Sequence, residues 1–126
     1  MDMKTEQARN LAFILTEANG LRSRETVTIA SGEGVLEPGT LLGEVTATEK
    51  NVASPNGVTV GKEGAETASA VLAYRVDATS ADATAVIVSN DAEVKAPMLV
   101  YHASVDDEAK KTAKQTQLRS VGIKSR

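Results

Sequence analysis

Cysteine and tryptophan are absent from this 126-residue chain, and its aromatic side chains number three: Phe13, Tyr74 and Tyr101. Without cysteine there is neither a disulfide framework nor a thiolate metal site. Long apolar runs are missing as well. The longest is Leu11–Leu15, five residues, against the roughly 20 that a membrane-spanning helix needs. The opening MDMKTEQARN mixes both charge signs and has no signal-peptide apolar region. A net charge of −3, a pI near 5.2 and too few rings for base stacking argue against nucleic acid as a partner. The expectation is a soluble, intracellularly made protein with no membrane partner.

What the chain does contain is mostly small. Of its apolar residues 19 are Ala and 14 are Val, while Leu, Ile, Met and Phe together supply 17. Val, Ile, Leu and Phe make up 28 of 126 residues, close to the level, about 20%, below which disorder is the default. The length suits one domain, or one domain with a tail. Each buried CH₂ is worth about 0.8 kcal/mol, so Ala-rich packing leaves little surplus over chain entropy, and a lone subunit looks underfilled. Charge is unevenly placed: residues 1–26 are neutral, residues 27–103 carry net −6 and residues 104–126 net +3. A basic tail of this kind reads first as a solvated helix face.

The first 19 residues stand apart. A polar stretch leads to Leu11-Ala-Phe-Ile-Leu15, and Asn19-Gly20 closes the segment with a turn signal. Two readings are open here: a terminal strand tucked into the core, or an arm that pairs with another chain. From Glu25 onward short apolar stretches alternate with turns. Strands are expected at Val27–Ala30, Leu41–Thr48, Val58–Val60, Ala70–Val76, Thr84–Ser89 and Val94–Tyr101. Gly43 suggests a bulge, and Glu37-Pro-Gly-Thr40 a type II turn. Turn signals every 8–12 residues favour a sandwich or barrel over parallel α/β. The C-terminal segment is expected to be helical, with Ser104 as N-cap, acids early, lysines later and Gly122 near the end. Its apolar face would be Val105, Ala109, Thr112, Ala113 and Thr116. The fold class is therefore α+β, mainly β: a small compact body of short strands, barrel- or tulip-like, with a C-terminal helix and a flexible N-terminal arm.

Chemistry finds little support. His102 is the only histidine, and no nucleophile-elbow sequence accompanies it. Asp106 and Asp107 near it suit a helix start better than a metal site. Gly57-Val-Thr-Val-Gly-Lys-Glu63 imitates a phosphate loop, but it is one residue short and places Glu63 where a hydroxyl is required. Asp77, Asp82 and Asp91 at strand ends read as turn residues. No catalytic residue, metal or cofactor is expected.

Several segments in order resemble the lambda-like phage head decoration proteins, the head decoration protein D family. They are Phe13-Ile-Leu-Thr-Glu-Ala-Asn-Gly-Leu-Arg-Ser-Arg-Glu25, Leu36-Glu-Pro-Gly-Thr-Leu-Leu-Gly43, Ala70-Val-Leu-Ala-Tyr-Arg-Val-Asp-Ala-Thr79, Asp91-Ala-Glu-Val94 and Ser104-Val-Asp-Asp-Glu-Ala-Lys-Lys-Thr-Ala113. The resemblance covers about residues 13–123 and is weak between 44 and 66. It implies a non-enzymatic homotrimer on the outer surface of the expanded head, at three-fold and quasi-three-fold positions, reinforcing it against packaged DNA. It implies residues 1–19 as a capsid-binding arm and residues 20–126 as the decoration domain. The arm's pairing segment with the major capsid protein would be Phe13, Ile14, Leu15, Thr16 and Glu17, and the protein's place would be the virion after synthesis in the host cytoplasm. A small β binding module, such as a lipoyl-like barrel or a trimeric fibre domain, is the alternative; Lys62 between Gly61 and Glu63 departs from a lipoyl site.

Overall fold

Short β-favouring stretches separated by turns leave each strand too small to stand alone, and the chain resolves this by closing them on one another. The computed structural model describes residues 10–17 and 24–126. In chain order the strands are β1 (Ile14–Glu17), β2 (Arg24–Ile29), β3 (Gly34–Leu36), β4 (Leu41–Glu44), β5 (Asn51–Ala53), β6 (Ala70–Leu72), β7 (Val76–Ala78), β8 (Ala83–Val88) and β9 (Ala92–Val94). A 3₁₀ turn (Ala96–Met98), helix α1 (Glu108–Arg119) and β10 (Ile123–Ser125) complete the chain. The strands β2-β5-β4-β6-β8 form a closed barrel, β1-β9-β10 a separate three-stranded sheet, and β3-β7 a two-stranded ribbon. The mainly β body with a C-terminal helix is the expected architecture.

Alternation along the strands sorts the side chains into two large cores, beside a small third cluster of Val45, Val52 and Ala65. Leu41, Val71 and Val88 are in register across β4, β6 and β8, and they face a cluster with Phe13, Val94, Leu99, Leu118 and Ile123. Their neighbours Leu42, Ala70, Leu72 and Ile87 face the opposite way, joining Ile29, Ala78 and Ala85. One wall is thus buried on both sides, which is why β4 begins Leu-Leu-Gly and β6 reads Ala-Val-Leu without a polar break. Gly43 belongs to this wall for reasons of space. A Cβ there would lie 2.0 Å from the Ala65 carbonyl oxygen, so the bulge expected at this position is instead a close approach of backbone to backbone.

Several elements differ from the sequence expectation. Ala70–Val76 divides into β6 and β7 at an Ala73–Arg75 turn, because its second half leaves the barrel to pair with β3. Val58–Val60 is loop, with the two valines 71% and 95% exposed. Val94–Tyr101 breaks after Val94 into the Pro97-containing turn. The helix is capped by Asp107, whose side chain accepts from the Lys110 N–H, rather than by Ser104. The type II turn holds: Thr40 N–H donates to the Glu37 carbonyl at 3.2 Å, with Gly39 at φ +94°.

Of the two readings open for the first segment, the burial of Phe13 matches a strand tucked into the core. Phe13 is 1% exposed and central to the larger core cluster. Its carbonyl accepts from Lys95 N–H at 2.7 Å, and β1 runs antiparallel to β9. Truncating the sole buried aromatic ring of the larger cluster leaves a cavity that small neighbours cannot fill. Phe13→Ala is expected to lower stability by about 3–5 kcal/mol, read as a reduced urea midpoint with an unchanged slope.

Candidate interaction surfaces

Of the residues expected to carry partner binding, Ile14 to Glu17 form β1 and Phe13 lies in the turn just before it. Ile14 is half-buried, Leu15 is 45% exposed, Thr16 is exposed, and Glu17 is half-buried. A register shift between Ile14 and Thr16 interrupts the pairing with β9. Phe13 is buried while Leu15, two residues on, is exposed. Glu17 forms an ion pair with Arg24, whose Nε lies 3.0 Å from Glu17 Oε2. In its sheet β1 has β9 on one side and no described strand on the other. An edge strand is where another chain can add to a sheet.

Among the described residues the remaining exposed large apolar side chains are Val35, Val58, Val60, Tyr74 and Val100. Val35 and Val100 line an open groove of about 410 Å³ together with Leu36, Ala53 and Tyr101. The groove is lined by three charged residues, Glu33, Glu37 and Lys62; Lys62 Nζ lies 2.8 Å from Glu33 Oε2, and Glu37 pairs with Arg75 at 2.7 Å. Glu33 also accepts from Ala53 N–H at 2.9 Å.

The helix docks in a way its sequence does not advertise. Ala109, Thr112, Ala113 and Thr116, expected to face the core, are exposed. The buried side carries Lys114 and Leu118. Lys114 is 2% exposed, and its ammonium donates to Ser54 Oγ at 2.8 Å, the Pro55 carbonyl at 2.6 Å and the Glu66 carbonyl at 2.5 Å. All three N–H donors are used, which is the condition for burying an ammonium without a carboxylate in contact. Burial pushes the Lys114 pKa down, and the Glu66 charge opposes that shift. Gln117 accepts from Ala68 N–H at 2.8 Å and Gln115 donates to the Tyr101 hydroxyl at 2.9 Å. Polar groups therefore anchor the helix, and a search for an apolar stripe misses them. The available signal was one lysine in phase with Leu118, four residues on.

The groups tested for chemistry are structural where they are described. His102 Nδ1 accepts from Ser104 N–H at 3.1 Å and sits 2.8 Å from Ser104 Oγ, a local turn rather than a triad. Asp77 binds Thr79, and Asp82 joins Ser31 N–H to Lys50. Lys62, engaged by Glu33, is not a free hairpin-tip lysine. Among the described residues no group of three His, Asp, Glu or Cys side chains is placed to hold a metal ion, and no helix is long and apolar enough to cross a membrane.

A closed barrel, with a small second sheet whose β1 lies at an edge, defines a small β module. The family model for Bacteriophage lambda head decoration protein D matches residues 3–123. The chain therefore belongs to that family, a family of structural proteins of the phage head, and its setting is the capsid of the virion. No curated protein matches the chain.

Two variants probe this architecture. Lys114→Met keeps the aliphatic stem but strands the Pro55 and Glu66 carbonyls; a loss of about 2–4 kcal/mol is expected, with faster amide exchange in residues 54–66. Hydrogen bonds from Lys50 and the Ser31 N–H hold the Asp82 pKa below 3.8. A depressed carboxylate stabilises the fold above 3.8 and loses that contribution as pH falls through its folded value. An NMR titration should place the Asp82 midpoint below 3.8, and Lys50→Ala should move it upward.

Proposed function

We propose that this protein is a capsid decoration protein that binds the outer surface of the expanded phage head as a homotrimer, at three-fold and quasi-three-fold sites. There it stabilises the shell against the pressure of packaged DNA. It is made in the host cytoplasm and acts without catalysis. The observation that carries this reading is the family match across nearly the whole chain.

The partner is the major capsid protein, and β1 supplies the contact. Residues 1–19 act as the arm and residues 20–126 as the decoration domain, with Phe13 to Glu17 the segment that engages the capsid. Phe13 and the β9-facing side of the strand remain in the subunit's own fold, while the other edge accepts a capsid strand. Backbone hydrogen bonds then provide affinity and the exposed Leu15 and Thr16 provide selectivity. Residues 1–9 lie outside the described residues, as does the part of the arm after Glu17.

Mixing the purified protein with expanded and unexpanded heads and counting bound copies tests the reading. Saturable binding to expanded heads alone, in multiples of three per site, is expected; equal occupancy of both forms, or none, rejects it. Because Phe13 is a core residue, removal of the whole arm would confound binding with stability. Leu15→Asp, on an exposed side chain, is the cleaner variant. It should fold normally and weaken head binding at least tenfold, about 1.4 kcal/mol.

A further inference from the structure

The loop that Lys114 anchors holds an Asn-Gly pair, Asn56-Gly57. Its N-terminal side is fixed. Lys114 Nζ donates to the Pro55 carbonyl at 2.6 Å, and the Asn56 N–H donates to Ser104 Oγ at 2.8 Å. The other side is open. Asn56 and Gly57 are exposed, and among the described residues neither the Asn56 side-chain amide nor the Gly57 N–H has a hydrogen-bond partner. A Cβ built on Gly57 meets nothing within 4 Å, so the peptide unit after Asn56 can turn without a clash. The other described asparagines lack this combination. Asn51 is buried and precedes the branched Val52. Asn10, before Leu11, accepts from the Arg75 N–H, and Asn90 precedes Asp91.

We propose that Asn56 is a site of spontaneous deamidation, a covalent modification that gives this loop a charge it is not synthesised with. The Gly57 backbone nitrogen, losing its proton to hydroxide, attacks Cγ of Asn56. The new N–Cγ bond closes a five-membered succinimide, and the side-chain nitrogen leaves as ammonia, taking a proton from water. Water then opens the ring at either carbonyl. One opening leaves an aspartyl residue at position 56 with the ordinary backbone. The other leaves an isoaspartyl residue, whose backbone runs through the former side chain and is one CH₂ longer. Glycine suits the attacking position because its backbone turns freely and no side chain shields its nitrogen. The tip, Gly57-Val-Thr-Val-Gly61, carries no charge, so either product turns a neutral tip anionic. Lys114 holds Ser54, Pro55 and Glu66, all outside the altered link. The change is therefore confined to the loop, and the barrel beneath it stays as it was.

Incubation of the full chain at neutral and at alkaline pH, followed by tryptic mapping of residues 51–62 by mass spectrometry, tests it. The mass gain of an amide-to-acid exchange is expected at position 56, faster at the higher pH, with aspartyl and isoaspartyl products both present. Asn51, in the same peptide, should stay an amide. The folded protein should react within about tenfold of the rate of the urea-unfolded chain. Gly57→Ala meets open space and a φ outside the left-handed region. It should keep the folded NMR spectrum and slow the reaction about tenfold or more. A folded chain that stays an amide at position 56 while the unfolded chain converts overturns the proposal, as does an unchanged rate in Gly57→Ala. The product, separated by anion exchange, should differ from the parent in the amide shifts of residues 55–61; changes spread through the barrel strands overturn the confinement by Lys114. The second Asn-Gly pair, Asn19-Gly20, falls in a different tryptic peptide and is scored separately.

Discussion

Everything in this subunit hangs on a wall of three strands buried on both faces. Leu41, Val71 and Val88 look one way from β4, β6 and β8, and Leu42, Ala70, Leu72 and Ile87 look the other. A wall of this kind must be apolar at consecutive positions, and it must be thin, because two cores share one short chain. Both demands explain the composition. Small residues let backbones approach, as at Gly43 under Ala65, and they let a 126-residue chain enclose a barrel and still support a second sheet. The wall divides the molecule's tasks too: one core holds β1, β9 and β10, the other fills the barrel.

Thin cores shift the work of docking onto polar groups. The helix rests on the body through Lys114, Gln115 and Gln117, with Leu118 as its buried apolar residue. Hydrogen bonds to a charged donor contribute about 1.5–3 kcal/mol each when satisfied and penalise the fold when broken. Their directionality also makes the docking specific. Lys114 reaches both roots of one long loop, so the helix and the loop between Ser54 and Glu66 are organised by a single nitrogen. No hydrophobic side chain of similar volume could satisfy three oxygens at once.

Legibility in the sequence follows from how local each determinant is. The Glu37–Thr40 turn, the helix with acids before bases, and the barrel class depend on neighbouring residues, and they read correctly. The Asp107 cap and Ser104 are both plausible locally; the choice falls to Asp107 because Ser104 is drawn into contacts with His102 and Asn56. The Ala70–Val76 stretch has one continuous β pattern, yet it serves two sheets, and only the partner strands β3 and β8 reveal the break. Lys114 looks like every other helix lysine until Pro55 and Glu66, some 50 to 60 residues distant in sequence, arrive around it. Of the candidate arm, the apolar character was legible. The inward position of Phe13 was one of two readings left open, and the choice between them depends on β9, some 80 residues on.

The β1 edge left open by this construction suits recognition through backbone groups, which tolerates sequence change in a partner. Under the proposed reading the subunit accepts quasi-equivalent capsid environments that differ slightly, and backbone pairing suits that requirement. The scarcity of large apolar residues then acts as a selectivity device. With only six of them exposed among the described residues, little bare hydrophobic surface remains to drive indiscriminate association.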